Sequence, residues 1–174
     1  EQEFEGRDRM SNGNDTPRQF VYGKCRIGSH LTYWEPTGTD SSQMHMIAVL
    51  APHALNAINE IYFNDDLAFN ASGVAQGDFA GHATLYKVKD PRTTALPEAV
   101  ANLEEWTDSH VLNDHSYIYT VLDYDRDAFS RGMPKISVVV EGKNNILDPR
   151  TGLYGYTRNH ALVTLDYLTQ HEGV

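Results

Sequence analysis

Short runs of β-forming residues, cut at intervals by Gly, Pro and paired polar residues, recur from residue 18 to residue 143. Only two longer stretches have helical spacing, one within these runs and one after them. That pattern restricts the chain to folds in which sheets make most of the core. The clearest run, Lys135–Glu141, alternates apolar and polar side chains. Gln43–Leu50 alternates and then becomes wholly apolar, as a central strand does.

Further strands are expected at Arg18–Ile27, with Gly23 inside as a possible bulge, and at His30–Glu35. The Gly28-Ser29 pair between them predicts a hairpin. Ile58–Asn64, His82–Val88 and Ser116–Tyr124 complete the set, with Leu67-Ala68-Phe69 following the Asp65-Asp66 turn. Leu96–Trp106 reads as a helix, with Pro97 in the first turn and Ala99, Val100, Leu103 and Trp106 on one face. Asn159–Gln170 reads as a second helix, with Ala161, Leu162, Leu165 and Leu168 as its apolar face. Gly142-Lys143 reads as a two-residue turn, and Asp148–Gly152 as the centre of a long loop. The expected class is α+β. It would hold a mostly antiparallel sheet, or a partly open barrel, of seven to eight strands with two helices.

Residues 1–16 are polar and charged with few apolar side chains, and read as a flexible arm or the end of a preceding element. Residues 17–174 form the expected β-rich domain, with a helical insertion near 96–106. A chain of 174 residues buries roughly 70% of its unfolded surface, enough for a real core. No apolar run approaches the roughly 20 residues of a membrane-spanning helix.

The net charge of −10 opposes nonspecific nucleic-acid binding, which depends on basic groups displacing phosphate counterions. Cys25 is the one cysteine, so neither an internal disulfide nor a thiolate-rich metal site can form; its alternating context suggests burial.

Candidate chemistry is sparse. Asp123, Asp125 and Asp127 alternate as in a calcium loop, but Ala128 and Pro134 stand where that loop needs Gly and Glu. His110 and His115 are five apart, not the spacing that brings two imidazoles to one helix face. The chain contains no G-x-S-x-G elbow, no P-loop and no G-x-G-x-x-G. Glu104 and Glu105 are adjacent on the expected helix and point apart, unlike a glycosidase pair. No enzymatic activity, metal or cofactor is expected. The ten tyrosines suit either half-buried sheet faces or an interface.

Three blocks resemble the central hub, or tip attachment, proteins of long-tailed bacteriophages and prophages. They are Pro17–Gly28 (PRQFVYGKCRIG), Ile58–Leu67 (INEIYFNDDL) and the run from Gly132-Met133-Pro134 through Asp148-Pro149-Arg150-Thr151-Gly152 to Asp166-Tyr167-Leu168-Thr169. The chain departs from that pattern at His30, Asn113-Asp114 and Asn144–Leu147. The resemblance implies a hub-domain fragment in a virion tail tip, joining tail tube to fibre or spike. Its implied partners are other hub domains of the same long chain and the distal tail and fibre or spike proteins. A homotrimer in the full protein and a host cell-surface receptor are also implied.

Asp148, Arg150, Tyr154, Tyr156 and Arg158 are the candidate interface residues in the last long loop, where the arginines are expected to pair with carboxylates. Trp34, near the 36–42 loop, is the candidate for a receptor-binding surface. A receptor-binding module or a cell-wall hydrolase with a dispersed site are the alternatives.

Overall fold

The computed structural model describes residues 19–171 of the 174. The expected arm at 1–16 lies outside them, as do Arg18 and the terminal Gly173-Val174. Within the described residues, ten strands form three antiparallel sheets, accompanied by two α-helices. The class is therefore α+β with antiparallel sheets, and the sheets do not close into a barrel.

One four-stranded sheet has the order β1-β8-β4-β5: Lys24–Gly28, Ile136–Lys143, Leu55–Phe63 and Asp66–Phe69. The other has the order β2-β3-β7-β6: His30–Thr37, Gln43–Ala51, Ser116–Asp123 and Ala83–Val88. The main core draws on both sheets. Ile27, Leu55, Ile61, Phe63, Val138 and Val140 come from the first, and Met46, Ala48, Leu50, Ile118 and Leu122 from the second. Burying one such side chain contributes roughly 1.5–3 kcal/mol. Alternation sends the other set of β3 and β7 side chains to the opposite face of the sheet, where Ile47, Val49, Tyr117 and Tyr119 meet Leu96, Ala99, Leu103 and Trp106. The connection between β6 and β7 is thus a cover over that face.

Several expectations need correction. The run at 18–27 becomes a strand only from Lys24, because Gly23 has φ 63° and breaks the extended path. β1 and β2 are not a hairpin but lie in different sheets. The Ser29 amide donates to the Ile136 carbonyl at 3.3 Å, so the chain turns a corner, and Ile27 and Leu31 both enter the shared core.

Gly142 and Lys143 are not a turn but the end of β8. There the segment before β1 crosses close by, with the amides of Gly142 and Lys143 donating to the carbonyls of Gly23 and Val21 at 2.7 and 2.8 Å. A Cβ on Gly142 would lie 2.2 Å from the Val21 oxygen, so only glycine fits.

The first helix, α1, spans Pro97–Asn102 rather than 96–106. Leu103 is extended (φ −105°, ψ 138°), and the next two amides, of Glu104 and Glu105, donate to the Glu35 carboxylate at 2.9 and 3.4 Å. Sheet contact overrides the helical pattern here. β4 starts at Leu55, three residues earlier than expected, and the expected long loop contains the hairpin β9 (Ile146–Asp148) and β10 (Leu153–Gly155). These bring the count to ten strands instead of seven or eight.

Lys87 joins the two sheets at their β6 side. Its ammonium donates to the carbonyls of Ile58, Asn59 and Ala71 at 2.9–3.0 Å, filling all three of its donor positions. Two of those acceptors sit where β4 departs from regular register with β8, between Ile58 and Ile61.

Candidate functional site

The region after β8 differs from the rest of the domain. α2 (His160–His171) packs on β9 and meets β8 at Lys143. Its orientation is rotated from the one expected, in which Ala161, Leu162, Leu165 and Leu168 would all face inward. Leu165 is 42% and Leu168 47% exposed, and Ala161 is exposed, while Asp166 is 6% exposed and faces inward with half-buried Leu162 and Val163.

The inward carboxylate explains this rotation. Asp166 Oδ2 accepts from Lys143 Nζ at 2.6 Å and from the Tyr22 hydroxyl at 2.8 Å. Both charged side chains are 5% exposed. A buried charge needs a partner and hydrogen bonds, so the helix presents its aspartate and its leucines face out. Burial and the Asp166 carboxylate hold the Tyr22 hydroxyl above its ordinary range.

The hairpin carries a second open surface. Leu147 and Tyr154 face each other across β9 and β10, 38% and 68% exposed. Leu153, on the opposite face, is 69% exposed. A groove of about 230 Å³ lies between the hairpin and the start of α2, lined by Ile146, Asp148, Arg150, Tyr154, Tyr156, Asn159 and Leu162 among others. The Arg150 backbone amide, Nε and Nη2 all donate to Asp148, at 3.0, 2.9 and 2.7 Å. That contact holds the Asp148 carboxyl below its usual range.

Of the candidate residues, Asp148, Arg150, Tyr154 and Tyr156 therefore meet around one groove. Tyr156 is half-buried, and burial raises its hydroxyl. Arg150 makes the expected carboxylate pair. Arg158 does not: it is exposed and forms no ion pair among the described residues. Trp34 is 53% exposed on β2, opposite Met46, and does not line the groove. Lys143, Tyr22 and Asp166 were missed in sequence. The available signal was a lone carboxylate among the leucines of the last helix.

Elsewhere, a cavity of about 350 Å³ has Phe63, Phe79 and Phe129 among its lining, with Asp66, Asp78 and Asp127 beside them. Asp125 Oδ1 accepts the amides of Asp127 and Ala128 at 2.9 and 3.0 Å, so this carboxylate caps its own turn. Among the described residues, no three His, Cys, Asp or Glu side chains group to hold a metal ion. Among the described residues, no helix is long and apolar enough to cross a membrane. Cys25 is half-buried, and burial raises its thiol.

No family model and no curated protein matches this chain. Among solved structures it is similar to a chain in the virion of a native gene transfer agent particle, with a TM-score of 0.50 and 10% sequence identity. The match covers 79% of this chain and 30% of that chain, so this chain spans less than a third of the length of its structural neighbour. At that identity the similarity is one of fold.

Proposed function

We propose that this chain is a structural component of a phage-like virion, acting as a hub domain at the tail tip between tail tube and fibre or spike. The observation that carries the reading is the outward leucine stripe of α2 beside the open β9–β10 hairpin. A helix whose apolar side faces solvent is built for burial against something else. The fold similarity to a virion chain supports the same reading. In it the domain does no bond-making chemistry; it acts by covering surface, and neighbouring hub domains and distal tail proteins are its partners. A homotrimer of the full protein belongs to this proposal.

The test is mass spectrometry of purified particles from the strain that encodes the chain. Peptides from it within a large tail polypeptide are the expected result. Their absence from particles, with the chain found alone in lysate, would reject the reading. A receptor-binding role is favoured by one observation, the exposed Trp34 on edge strand β2. Binding of cell-surface glycans that is lost on Trp34→Ala would support it.

A further inference from the structure

We infer that the cavity between the β4–β5 turn, the turn at Gly77–Phe79 and the connection from β7 to β8 takes a basic side chain from a loop of a partner protein. This deepens the proposed assembly role and rests on it. None of the residues lining the cavity belongs to α2 or to the β9–β10 hairpin, so the surface is a second one.

Shape and polarity come first. The cavity holds about 350 Å³, and the buried rings of Phe63, Phe79 and Phe129 form its apolar part. The centroids of Phe63 and Phe79 lie 5.2 Å apart, edge to face, and those of Phe79 and Phe129 5.8 Å apart. Local bonds fix the surrounding backbone. The Asn64 amide donates to the Lys135 carbonyl and the Lys135 amide to Asn64 Oδ1, both at 2.9 Å. Asp125 Oδ1 caps the turn at Asp127 and Ala128. A cavity held in shape this way loses little further freedom when it is filled.

Charge then selects the occupant. Asp66, Asp78, Asp127 and Arg131 line the cavity, three carboxylates against one guanidinium, a net charge of −2. The other charged residues within two positions of the lining are Asp65, Asp125, Arg126 and Lys135; they sum to zero and leave that balance unchanged. Arg131 approaches Asp66 only to 3.9 Å, with both side chains largely exposed. Among the described residues, the carboxylates of Asp78 and Asp127 make no hydrogen bond or ion pair. Nor do three His, Cys, Asp or Glu side chains group there to hold a metal ion. Carboxylates standing apart around an apolar floor match a cation carried on an apolar stem, which is the chemistry of arginine and lysine. The stem lies on the rings and the charge reaches the carboxylates. A second copy is a poor source of that side chain, because two chains of net charge −10 repel.

The test titrates the full chain with two acetylated peptide amides, Leu-Arg-Leu and Leu-Glu-Leu, read by amide NMR shifts. The arginine peptide is expected to bind at least about tenfold more tightly and to shift the amides at 77–79 and 127–132. Asp78→Asn combined with Asp127→Asn, both at exposed positions, is expected to lose that preference while the unfolding temperature stays unchanged. Binding of neither peptide, equal binding of both, shifts confined to other residues, or a preference that survives the double variant would overturn the inference. So would spermidine shifting the same amides at lower concentration than the arginine peptide, since the cavity would then be a site for a free polyamine. Self-association that shifts these amides without peptide would overturn it too. Particle mass spectrometry reads the assembly role separately, so failure of the titration is distinguishable from failure of that role.

Discussion

Lys143 and Asp166 form an ion pair with Nζ and Oδ2 2.6 Å apart and both side chains 5% exposed, joining the end of β8 to the inward face of α2. Removing one partner strands the other charge in a site shielded from water. Asp166→Asn and Lys143→Met are each expected to destabilise the domain by about 3 kcal/mol. Replacing both together with apolar residues is expected to cost much less, because no unpaired charge remains. Denaturant titration of the two single variants and the double variant checks this, and additive losses would refute it.

Gly142→Ala is expected to cost about 2–3 kcal/mol or to displace the segment before β1. The added methyl would meet the Val21 carbonyl at 2.2 Å, where backbone cannot yield as a flexible side chain would. Thermal unfolding measures the loss. Unchanged stability would mean that Val21 does not cross there.

Lys87→Met removes the donor to three carbonyls, two of which, Ile58 and Asn59, tie β6 to the bulged part of β4. A loss of about 1–3 kcal/mol is expected, since a charged donor is lost and its acceptors are left partly unsatisfied. Faster amide exchange around residues 58–61 should accompany it, and exchange that stays as slow as in the parent would count against the tie.

His45 is 2% exposed, with Nδ1 2.7 Å from the Tyr119 hydroxyl and Nε2 2.7 Å from Thr37 Oγ1. Burial lowers its pKa; the Glu35 and Asp123 carboxylates pull the other way without overcoming it. The unfolded imidazole therefore takes up its proton at a higher pH than the folded one. Stability from this site is fully present above the unfolded value of about 6.5 and is lost as pH falls below it toward the folded value. A His45→Gln variant should lack this increment, so the stability difference from the parent should change between pH 7.5 and lower pH. A constant difference across that range would contradict the assignment.

Leu165→Glu with Leu168→Glu should leave folding stability within about 0.5 kcal/mol, because both leucines already face water. Incorporation of the chain into particles should fall sharply. Normal incorporation would show that the α2 stripe is not an assembly surface.

The strand at Ile136–Lys143 was legible from the alternation of Lys135–Glu141, and those at Gln43–Ala51 and Ser116–Asp123 from short runs of apolar and β-forming residues, which suit strands buried on both faces. The Asp148–Arg150 contact was also legible, since its members are two residues apart and the turn brings them together. By itself the sequence determined the α+β class, the antiparallel strands and the location of the last helix. Sheet membership was not readable: Ile27 and Leu31 suit a hairpin as well as a corner, and only the shared core separates β1 from β2. The face that α2 turns inward was decided by tertiary structure as well. Helical periodicity favours burying Leu165 and Leu168, but Lys143 lies 23 residues before Asp166 in the chain. Its buried ammonium requires a carboxylate, and that long-range electrostatic demand outweighs the local apolar pattern.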